Sequence, residues 1–449
     1  MYPQFNKDFK FGTATAAYQI EGGWNEDGKG LSTWDVFSHK RGKIKEGHTG
    51  DVACDTYHNF QTDINIMSSL NMDAYRFSIA WSRVLPDGKG KPNEKGIDYY
   101  SRLIEALLEK NITPFITLFH WDMPQAIYKE NRGFVGRDTA YYYADYAKLM
   151  IERFGDRVKD WITFNEPWEH AFMGYFIADQ APGEINPFAY FNAAHHQLLG
   201  HGLGVQAMRS VRDDLNIGIT LSQFPVYPFK YEATKRDMAA VEFTDMFMNR
   251  FYLDPVFKGT YPEKLFKKIK FLKPKVMDGD LQIINQPIDF LGVNYYTRVF
   301  ANPKWYIPLL GTWVEREPTD ERYFHPELGS YAFPDGVKEL GRRYRDEYGN
   351  PTIYITENGT GATKPKGIVN DEYRINYINH YLTATKEAID EGCDIRGYFY
   401  WTLIDNFEWG QGFTHPMGII KVDHDTQQRT IRDSGYWFRD MIAAQESRK

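Results

Sequence analysis

The segment VKDWITFNEP, residues 158–167, is an apolar run that stops abruptly at a polar tip. Its β-branched and aromatic residues favour a strand, and a nearly continuous apolar run is typical of a parallel strand that is covered on both faces. The run closes with Asn165, Glu166 and Pro167, so a carboxylate stands where a buried strand should end. This pattern predicts an α/β fold, and it marks the end of the strand as a candidate functional position.

Seven further runs of the same kind occur along the chain, at residues 9–20, 74–81, 112–121, 216–224, 288–296, 351–358 and 395–404. Between the runs lie stretches with helical periodicity, for example residues 137–155 and 371–391. Eight strand-then-helix units predict one (β/α)8 TIM barrel that occupies residues 1–449 as a single domain. A doubly wound open sheet is the alternative, but no run is followed by a glycine-rich loop that could cradle phosphate.

The composition excludes several classes of function. Charged residues make up 25% of the 449 residues and the net charge is -7, so nothing attracts nucleic acid or an anionic membrane. No apolar window is long enough to span a membrane, and the N-terminus MYPQFNKDFKFG does not resemble a signal peptide. The two cysteines, Cys54 and Cys393, lack metal or redox spacing, which fits a reducing compartment. We therefore expect a cytoplasmic protein with a small-molecule partner, and we leave its oligomeric state open.

Polar residues cluster at the ends of the predicted strands, where the chemistry of such barrels is located. They are Gln19, Arg76, His120, Asn165, Glu166, Asn294, Tyr296, Glu357, Asn358 and, just past the eighth strand, Glu408. Glu166 ends the fourth strand and Glu357 ends the seventh, on nearly opposite sides of the barrel mouth. Two carboxyl groups that face each other across a cleft are what glycoside cleavage requires.

The neighbours of the two glutamates explain how their protonation could differ. Pro167 should confine Glu166 to extended backbone geometry, while burial and the charge of Glu357 should favour the protonated form of Glu166. Glu357 should be kept ionised by hydrogen bonds from Tyr296 and by the charge of Arg76. The positions thus predict that Glu166 is the acid and Glu357 the ionised partner.

Eight sequence blocks occur in an order that is recognisable. They are FGTATAAYQIEGG (11–23), YRFSIAWSR (75–83), FHWDMP (119–124), TFNEPW (163–168), GVNYYT (292–297), YITENG (354–359), WTLIDNFEWGQGF (401–413) and GIIKVD (418–423). With these blocks the chain resembles glycoside hydrolase family one, a family of retaining β-glycosidases. The resemblance implies a (β/α)8 barrel in which Glu166 is the general acid/base and Glu357 is the nucleophile.

The resemblance also implies a sugar-binding site without a metal or a cofactor. The residues that it places around the hydroxyl groups of the non-reducing sugar are Gln19, His120, Trp121, Asn165, Asn294, Glu408 and Trp409. It places Trp401 beneath the sugar ring and Trp168 on the leaving-group side, and it implies a cis peptide between Trp401 and Thr402. Tyr296 completes the predicted binding residues, and Arg76 supports the site.

Two further positions concern the identity of the sugar. Relatives that resemble 6-phospho-β-glycosidases replace the Glu-Trp pair after the eighth strand and carry a lysine, whereas here Glu408 and Trp409 are intact and His415 stands near the lysine position. A free sugar is therefore expected. Many members of the family place an aromatic residue where this chain has Met417, a flexible apolar side chain, so the preference among glucosides, galactosides and fucosides stays open.

We therefore predict a retaining exo-β-glycosidase, and more specifically a β-glucosidase that acts through a covalent glucosyl-enzyme. The alternatives are an inactive sugar-binding barrel, which should have lost one of the two glutamates, a β-galactosidase or β-fucosidase, and a transglycosylase. The aglycone pocket should be formed by the segment from Arg298 to Pro334, which contains Trp305 and Trp313 and has little strand or helix periodicity.

Overall fold

The protein is described by a computed structural model that covers residues 2–304, 307, 310–318, 320–328, 330–361 and 371–446. Eight parallel strands close into a barrel in which each strand pairs with the next along the chain and the eighth pairs with the first. The barrel strands are Lys10–Ala14, Ala74–Ser78, Thr113–Phe119, Asp160–Asn165, Asn216–Ser222, Phe290–Asn294, Ile353–Asn358 and Ile395–Trp401. The predicted fold class is confirmed, and each predicted run contains one observed strand.

The helices lie between and beyond these strands. They are Ala17–Ile20, Thr33–Ser38, Thr56–Ser69, Trp81–Val84, Glu94–Glu109, Gln125–Asn131, Asp138–Phe154, Pro167–Ala171, Pro187–Val211, Lys235–Asp245, Phe251–Lys258, Glu263–Lys268, Asp280–Ile284, Gly336–Glu347, Glu372–Asp390 and Asp433–Ala443. The helices predicted at 137–155 and 371–391 are confirmed to within a residue at each end. Within the described ranges, no helix is long and apolar enough to cross a lipid bilayer.

The first predicted strand is too long at its C-terminal end. Only Lys10–Ala14 is a strand, and the rest of the run continues into the helix Ala17–Ile20. The backbone N–H of Ala17 donates to Ser78 Oγ at 2.7 Å, so the chain turns over the end of the second strand instead of extending further. This turn carries Gln19 to the mouth of the barrel.

Two small sheets lie outside the barrel. One contains Val226–Pro228, Val299–Pro303 and Thr312–Glu315, and the other pairs Ile420–Val422 with Arg429–Ile431. The first sheet corrects the expectation that residues 298–334 have little regular structure, because two of its three strands come from that segment. Short strands of this kind are set by pairing across the sequence, which the local pattern does not reveal.

The lower barrel interior is filled by aromatic rings. The ring of Phe115 lies 4.9 Å from that of Phe399 and 5.2 Å from that of Tyr354, and Tyr354 lies 5.2 Å from Phe290. These four residues come from four different strands, so their rings close the barrel with a packed layer. The polar residues above them therefore face the mouth.

Two glycines in the long helix Pro187–Val211 test how closely this helix packs against its neighbours. A Cβ added to Gly202 would lie 1.9 Å from the backbone oxygen of Ile283, whereas a Cβ on Gly200 would lie 3.3 Å from the ring of Phe164. Both substitutions to alanine gain about 1 kcal/mol of helix propensity, but overpacking costs about 1–3 kcal/mol where the backbone must move. We expect Gly202→Ala to lower the apparent melting temperature and Gly200→Ala to maintain or raise it, measured at one scan rate. Equal melting temperatures would contradict the close helix contact.

Candidate active site

The structure brings the predicted polar residues together at the C-terminal ends of the strands. Two of the strands that carry them have irregular register near their ends, between Ile162 and Asn165 in the fourth and between Ile355 and Glu357 in the seventh. Such bulges re-aim side chains and are common next to functional sites. The two predicted catalytic glutamates thus lie at or directly after positions where the pairing with a neighbouring strand shifts.

Glu357 is buried, with 3% of its surface exposed, and is held at both carboxylate oxygens. Arg76 donates from Nη1 to Oε1 at 2.6 Å, and the Tyr296 hydroxyl donates to Oε2 at 2.8 Å. The predicted contacts of Glu357 are therefore confirmed. Burial raises the pKa of Glu357, while the charge and hydrogen bond of Arg76 and the hydrogen bond of Tyr296 oppose that rise.

The backbone of Glu166 is not extended, so the predicted effect of Pro167 is wrong. Glu166 has φ 45° and ψ 63°, in the left-handed region. The chain passes directly from the fourth strand into the helix Pro167–Ala171, and this reversal requires the unusual geometry. The Glu166 N–H donates to Thr220 O at 2.9 Å, and its carbonyl accepts from the His170 N–H at 3.2 Å. These two backbone bonds hold Glu166 in place.

The carboxyl group of Glu166 has a different environment from that of Glu357. Asn165 Nδ2 donates to it at 3.4 Å, a hydrogen bond from Asn294 lowers its pKa, and within the described part of the chain no cation forms an ion pair with it. Burial, followed by the charge of Glu357, raises the pKa of Glu166 well above its usual range. Of the two glutamates, Glu166 therefore has the stronger preference for the protonated form.

Asn165 links the two glutamates through its side-chain amide. Its Oδ1 accepts hydrogen bonds from Arg76 Nη2 at 2.6 Å and from Asn294 Nδ2 at 3.0 Å. Its Nδ2 faces His120 Nε2 at 2.9 Å as well as the carboxyl group of Glu166. All of the polar atoms of this amide are engaged, so its orientation is fixed by its neighbours.

Three predicted binding residues keep a buried polar atom without a partner among the described residues: His120, Gln19 and, through its indole Nε1, Trp168. Because Asn165 Nδ2 donates to His120 Nε2, the His120 proton lies on Nδ1, which is buried and has no hydrogen-bond partner among the described residues. Burial and the charge of Arg76 keep the pKa of His120 low, so the ring is neutral. Gln19 Nε2 donates to Phe407 O at 2.9 Å, while its Oε1 is likewise unpartnered. Among the described residues, these three thus offer two free donors, His120 Nδ1 and Trp168 Nε1, and one free acceptor, Gln19 Oε1.

Glu408 lies next to Gln19, whose Nε2 approaches Oε2 at 3.4 Å. Burial raises the pKa of Glu408 to about 8; hydrogen bonds from Trp401 and Gln19 oppose the rise and the charge of Glu357 adds to it. The surroundings of Glu408 therefore disfavour its charged form, and hydroxyl groups that donate to the carboxylate would stabilise the anion.

Tryptophan rings enclose the same region. Trp121 and Trp409 have ring centroids 4.6 Å apart, and Trp401 stacks near His120 at 5.7 Å. The indole N–H of Trp121 donates to Asn165 O at 3.0 Å. Its polar atom is therefore bonded to the backbone, and its ring forms part of the wall of the site. The peptide between Trp401 and Thr402 is cis, as the resemblance implies.

An apolar cavity of about 150 Å³ lies beside Trp168, the residue that the resemblance places on the leaving-group side. Trp168 lines it and stacks on Phe172 with ring centroids 4.9 Å apart, and Trp313 lies in the opposite wall. Trp168 and Trp313 thus occupy the predicted region, while Trp305 falls outside the described residues. Met417 does not line this cavity; its side chain is buried, and its carbonyl accepts a hydrogen bond from the Tyr400 hydroxyl at 3.1 Å.

The sequence reasoning missed a layer of threonine hydroxyls beneath the site. Arg76 Nε donates to Thr117 Oγ1 at 3.2 Å, Thr356 Oγ1 donates to Asn294 Oδ1 at 2.8 Å, and Thr220 Oγ1 contacts Thr356 Oγ1 at 3.3 Å. The sequence contains a pattern from which these threonines could have been identified, because an Ile-Thr pair occurs in the third, fifth and seventh strand runs. The sequence pattern also did not identify Glu169, a second glutamate three residues after Glu166, as a candidate site residue.

Comparisons with known proteins agree with this geometry. The family model of glycosyl hydrolase family 1 matches residues 1–447. β-Glucosidase A of Acetivibrio thermocellus is 41% identical, with 98% of each chain covered, and a bifunctional β-D-glucosidase/β-D-fucosidase of Bifidobacterium breve is 40% identical, with 99% of each covered. A solved β-glucosidase of Thermotoga maritima in complex with castanospermine superimposes with a TM-score of 0.90 at 39% identity, covering 98% of each chain.

The barrel, the paired glutamates and the comparisons point to one family. The match extends over nearly the whole chain, and the identity is spread across full-length relatives rather than restricted to one motif. The chain therefore belongs to glycosyl hydrolase family 1.

Proposed function

We propose that the protein is a retaining exo-β-glucosidase that releases glucose from the non-reducing end of β-glucosides. The observation that carries this proposal is the contrast between two neighbouring buried carboxyl groups. Glu357 is paired with Arg76 at 2.6 Å, whereas Glu166 forms no ion pair among the described residues and has a strongly raised pKa. Glu357 is thus suited to act as the anion and Glu166 to act as the acid.

The first step of the proposed reaction uses both groups. Glu357 attacks the anomeric carbon while Glu166 gives its proton to the departing oxygen, which forms a covalent glucosyl-enzyme and releases the aglycone. Formation of the ester removes the negative charge of Glu357, which had raised the pKa of Glu166. Glu166 then becomes a base of suitable strength, so it accepts a proton from water in the second step, and glucose leaves with retained configuration.

The remaining residues bind the sugar in this proposal. The neutral His120 donates from Nδ1, Gln19 accepts at Oε1, and Glu408 accepts from adjacent hydroxyl groups. Asn165 and Asn294 position hydroxyl groups near the reacting carbon, Trp401 lies beneath the ring, and Trp409 with Trp121 closes the end of the site. Glu408 supplies an acceptor and no positive charge where a phosphate group would need a cation, which supports an unphosphorylated sugar.

The relatives support a glucoside as the substrate and suggest a second candidate. One relative is named a β-glucosidase, and another is named a bifunctional β-D-glucosidase/β-D-fucosidase, so β-fucosides are a reasonable additional substrate class. The same covalent intermediate permits transglycosylation at high sugar concentration. Part of the proposal is a cytoplasmic location, which suits the free and buried Cys54 and Cys393.

The two glutamates can be separated by their dependence on the leaving group. We expect Glu166→Ala to slow cellobiose cleavage strongly and to spare the first step on 2,4-dinitrophenyl β-glucoside, because a good leaving group needs no proton. The variant should accumulate glucosyl-enzyme, and azide should restore turnover and give β-glucosyl azide, since azide needs no base. Pre-steady-state kinetics and the anomer of the azide product are the measurements.

Glu357→Ala is the matched variant. It lacks the nucleophile, so no covalent intermediate should form with either substrate, and azide should give only the α anomer. A burst of product from Glu357→Ala, or equal impairment of Glu166→Ala on all leaving groups, would show that the two roles are wrongly assigned.

The pH profile tests the same assignment independently. Activity on a poor leaving group requires protonated Glu166, so kcat/KM should fall as the pH rises through the raised pKa of Glu166. We expect Glu166→Ala, assayed on 2,4-dinitrophenyl β-glucoside, to lose this alkaline limb of kcat/KM and to retain the acid limb that requires ionised Glu357. If the alkaline limb persists unchanged in the variant, another group controls it.

A further inference from the structure

Glu169 is a buried carboxyl group that the proposed reaction does not use. It lies one turn after Glu166 in the helix Pro167–Ala171 and is 8% exposed. Among the described residues, no hydrogen bond or ion pair to its carboxyl group is found, and the charges that act on its pKa are those of Arg316 and Glu357. A buried carboxyl group without a partner is destabilising, so packing alone does not explain a glutamate here.

Glu169 is one of the residues that line the cavity beside Trp168. Most of this cavity is apolar and aromatic, with walls that include Trp168, Phe172, Phe224 and Trp313. Its volume of about 150 Å³ is of the size that holds one aromatic ring. The cavity therefore combines flat apolar walls with a single anionic or hydrogen-bonding group.

Arg316 is the positively charged residue in the cavity wall, but it does not neutralise Glu169 by direct contact. Its side chain is exposed at the rim, beyond ion-pair distance from Glu169. Burial raises the pKa of Glu169 to about 7, the charge of Arg316 opposes this rise, and the charge of Glu357 adds to it. At neutral pH a substantial fraction of Glu169 is ionised, and a cationic ligand would increase that fraction.

We propose that Glu169 determines the specificity for the leaving group, and that the cavity takes an aromatic aglycone carrying a hydrogen-bond donor, preferably a positively charged amine. The inference rests on the proposed glucosidase activity and adds the chemistry of the aglycone to it. The aromatic walls hold the ring, and Glu169 receives the donor at the far end from the glycosidic oxygen. An aglycone with a carboxylate at the same place is disfavoured by like charge.

The test is a set of β-glucosides that differ only at the para position of a phenyl aglycone. The substituents are aminomethyl, hydroxymethyl, methyl and carboxylate, and kcat/KM is measured for each with the wild type, Glu169→Gln and Glu169→Leu. The ratio of aminomethyl to methyl should fall about tenfold in Glu169→Gln, the loss expected for one charge-assisted contact, and further in Glu169→Leu. Comparing the same ratio between variants cancels the intrinsic reactivity of each leaving group.

Glu242→Gln is the matched control, because it removes one carboxylate from a residue outside this cavity. Its substrate ratios should equal those of the wild type. A ratio in Glu169→Gln within twofold of the wild-type ratio would overturn the inference. Cleavage of 4-nitrophenyl β-glucoside by the wild type is checked first, since failure there refutes the proposed activity and not the role of Glu169.

Thermal stability provides a second measurement that does not depend on activity. The folded-state pKa of Glu169 is raised to about 7 from 4.5, so the stability that this group contributes is present below about pH 4.5 and is lost as the pH rises through 7. Glu169→Gln should therefore melt at an equal or higher temperature than the wild type at pH 8. A clearly lower melting temperature at pH 8 would mean that Glu169 has a structural partner, which contradicts the inference.

Discussion

The buried guanidinium group of Arg76 is the interaction on which the site depends. It is fully enclosed, and it donates to Glu357 at 2.6 Å, to Asn165 at 2.6 Å and to Thr117 at 3.2 Å. A cation in this environment requires a carboxylate and further acceptors, and the planar fork of arginine places them at fixed angles. One side chain thus orients the end of the third, fourth and seventh strands toward a common centre.

The same low-dielectric environment raises the pKa of the two glutamates to different extents. Burial raises the pKa of both, but Glu357 has Arg76 and Tyr296 as partners, while Glu166 faces the charge of Glu357 with only amide donors and no ion pair among the described residues. The difference in pKa between Glu166 and Glu357 comes from the partners of each carboxyl group and not from the depth of burial. A structure with these partners can keep an acid and an anion side by side at neutral pH, which is the requirement of double displacement.

The geometry around Glu166 connects the sugar site with the leaving-group cavity. The left-handed conformation at Glu166 turns the chain at once into a short helix, and Trp168 and Glu169 follow on that helix at the cavity wall. The proposed acid and the proposed aglycone contacts are therefore positioned by one backbone reversal. A change in that turn would move both the proton donor and the surface that holds the departing group.

The sequence by itself determined the barrel, because eight apolar runs alternate with helical periodicity, and it placed the polar residues at the strand ends. It also predicted the contacts of Glu357, since strand order puts Arg76 and Tyr296 near its end. Only the tertiary structure decided the turn at Glu166, the small sheet that forms the cavity wall and the isolation of Glu169. These features depend on register shifts and on contacts between distant segments, which local patterns of hydrophobicity and charge do not encode.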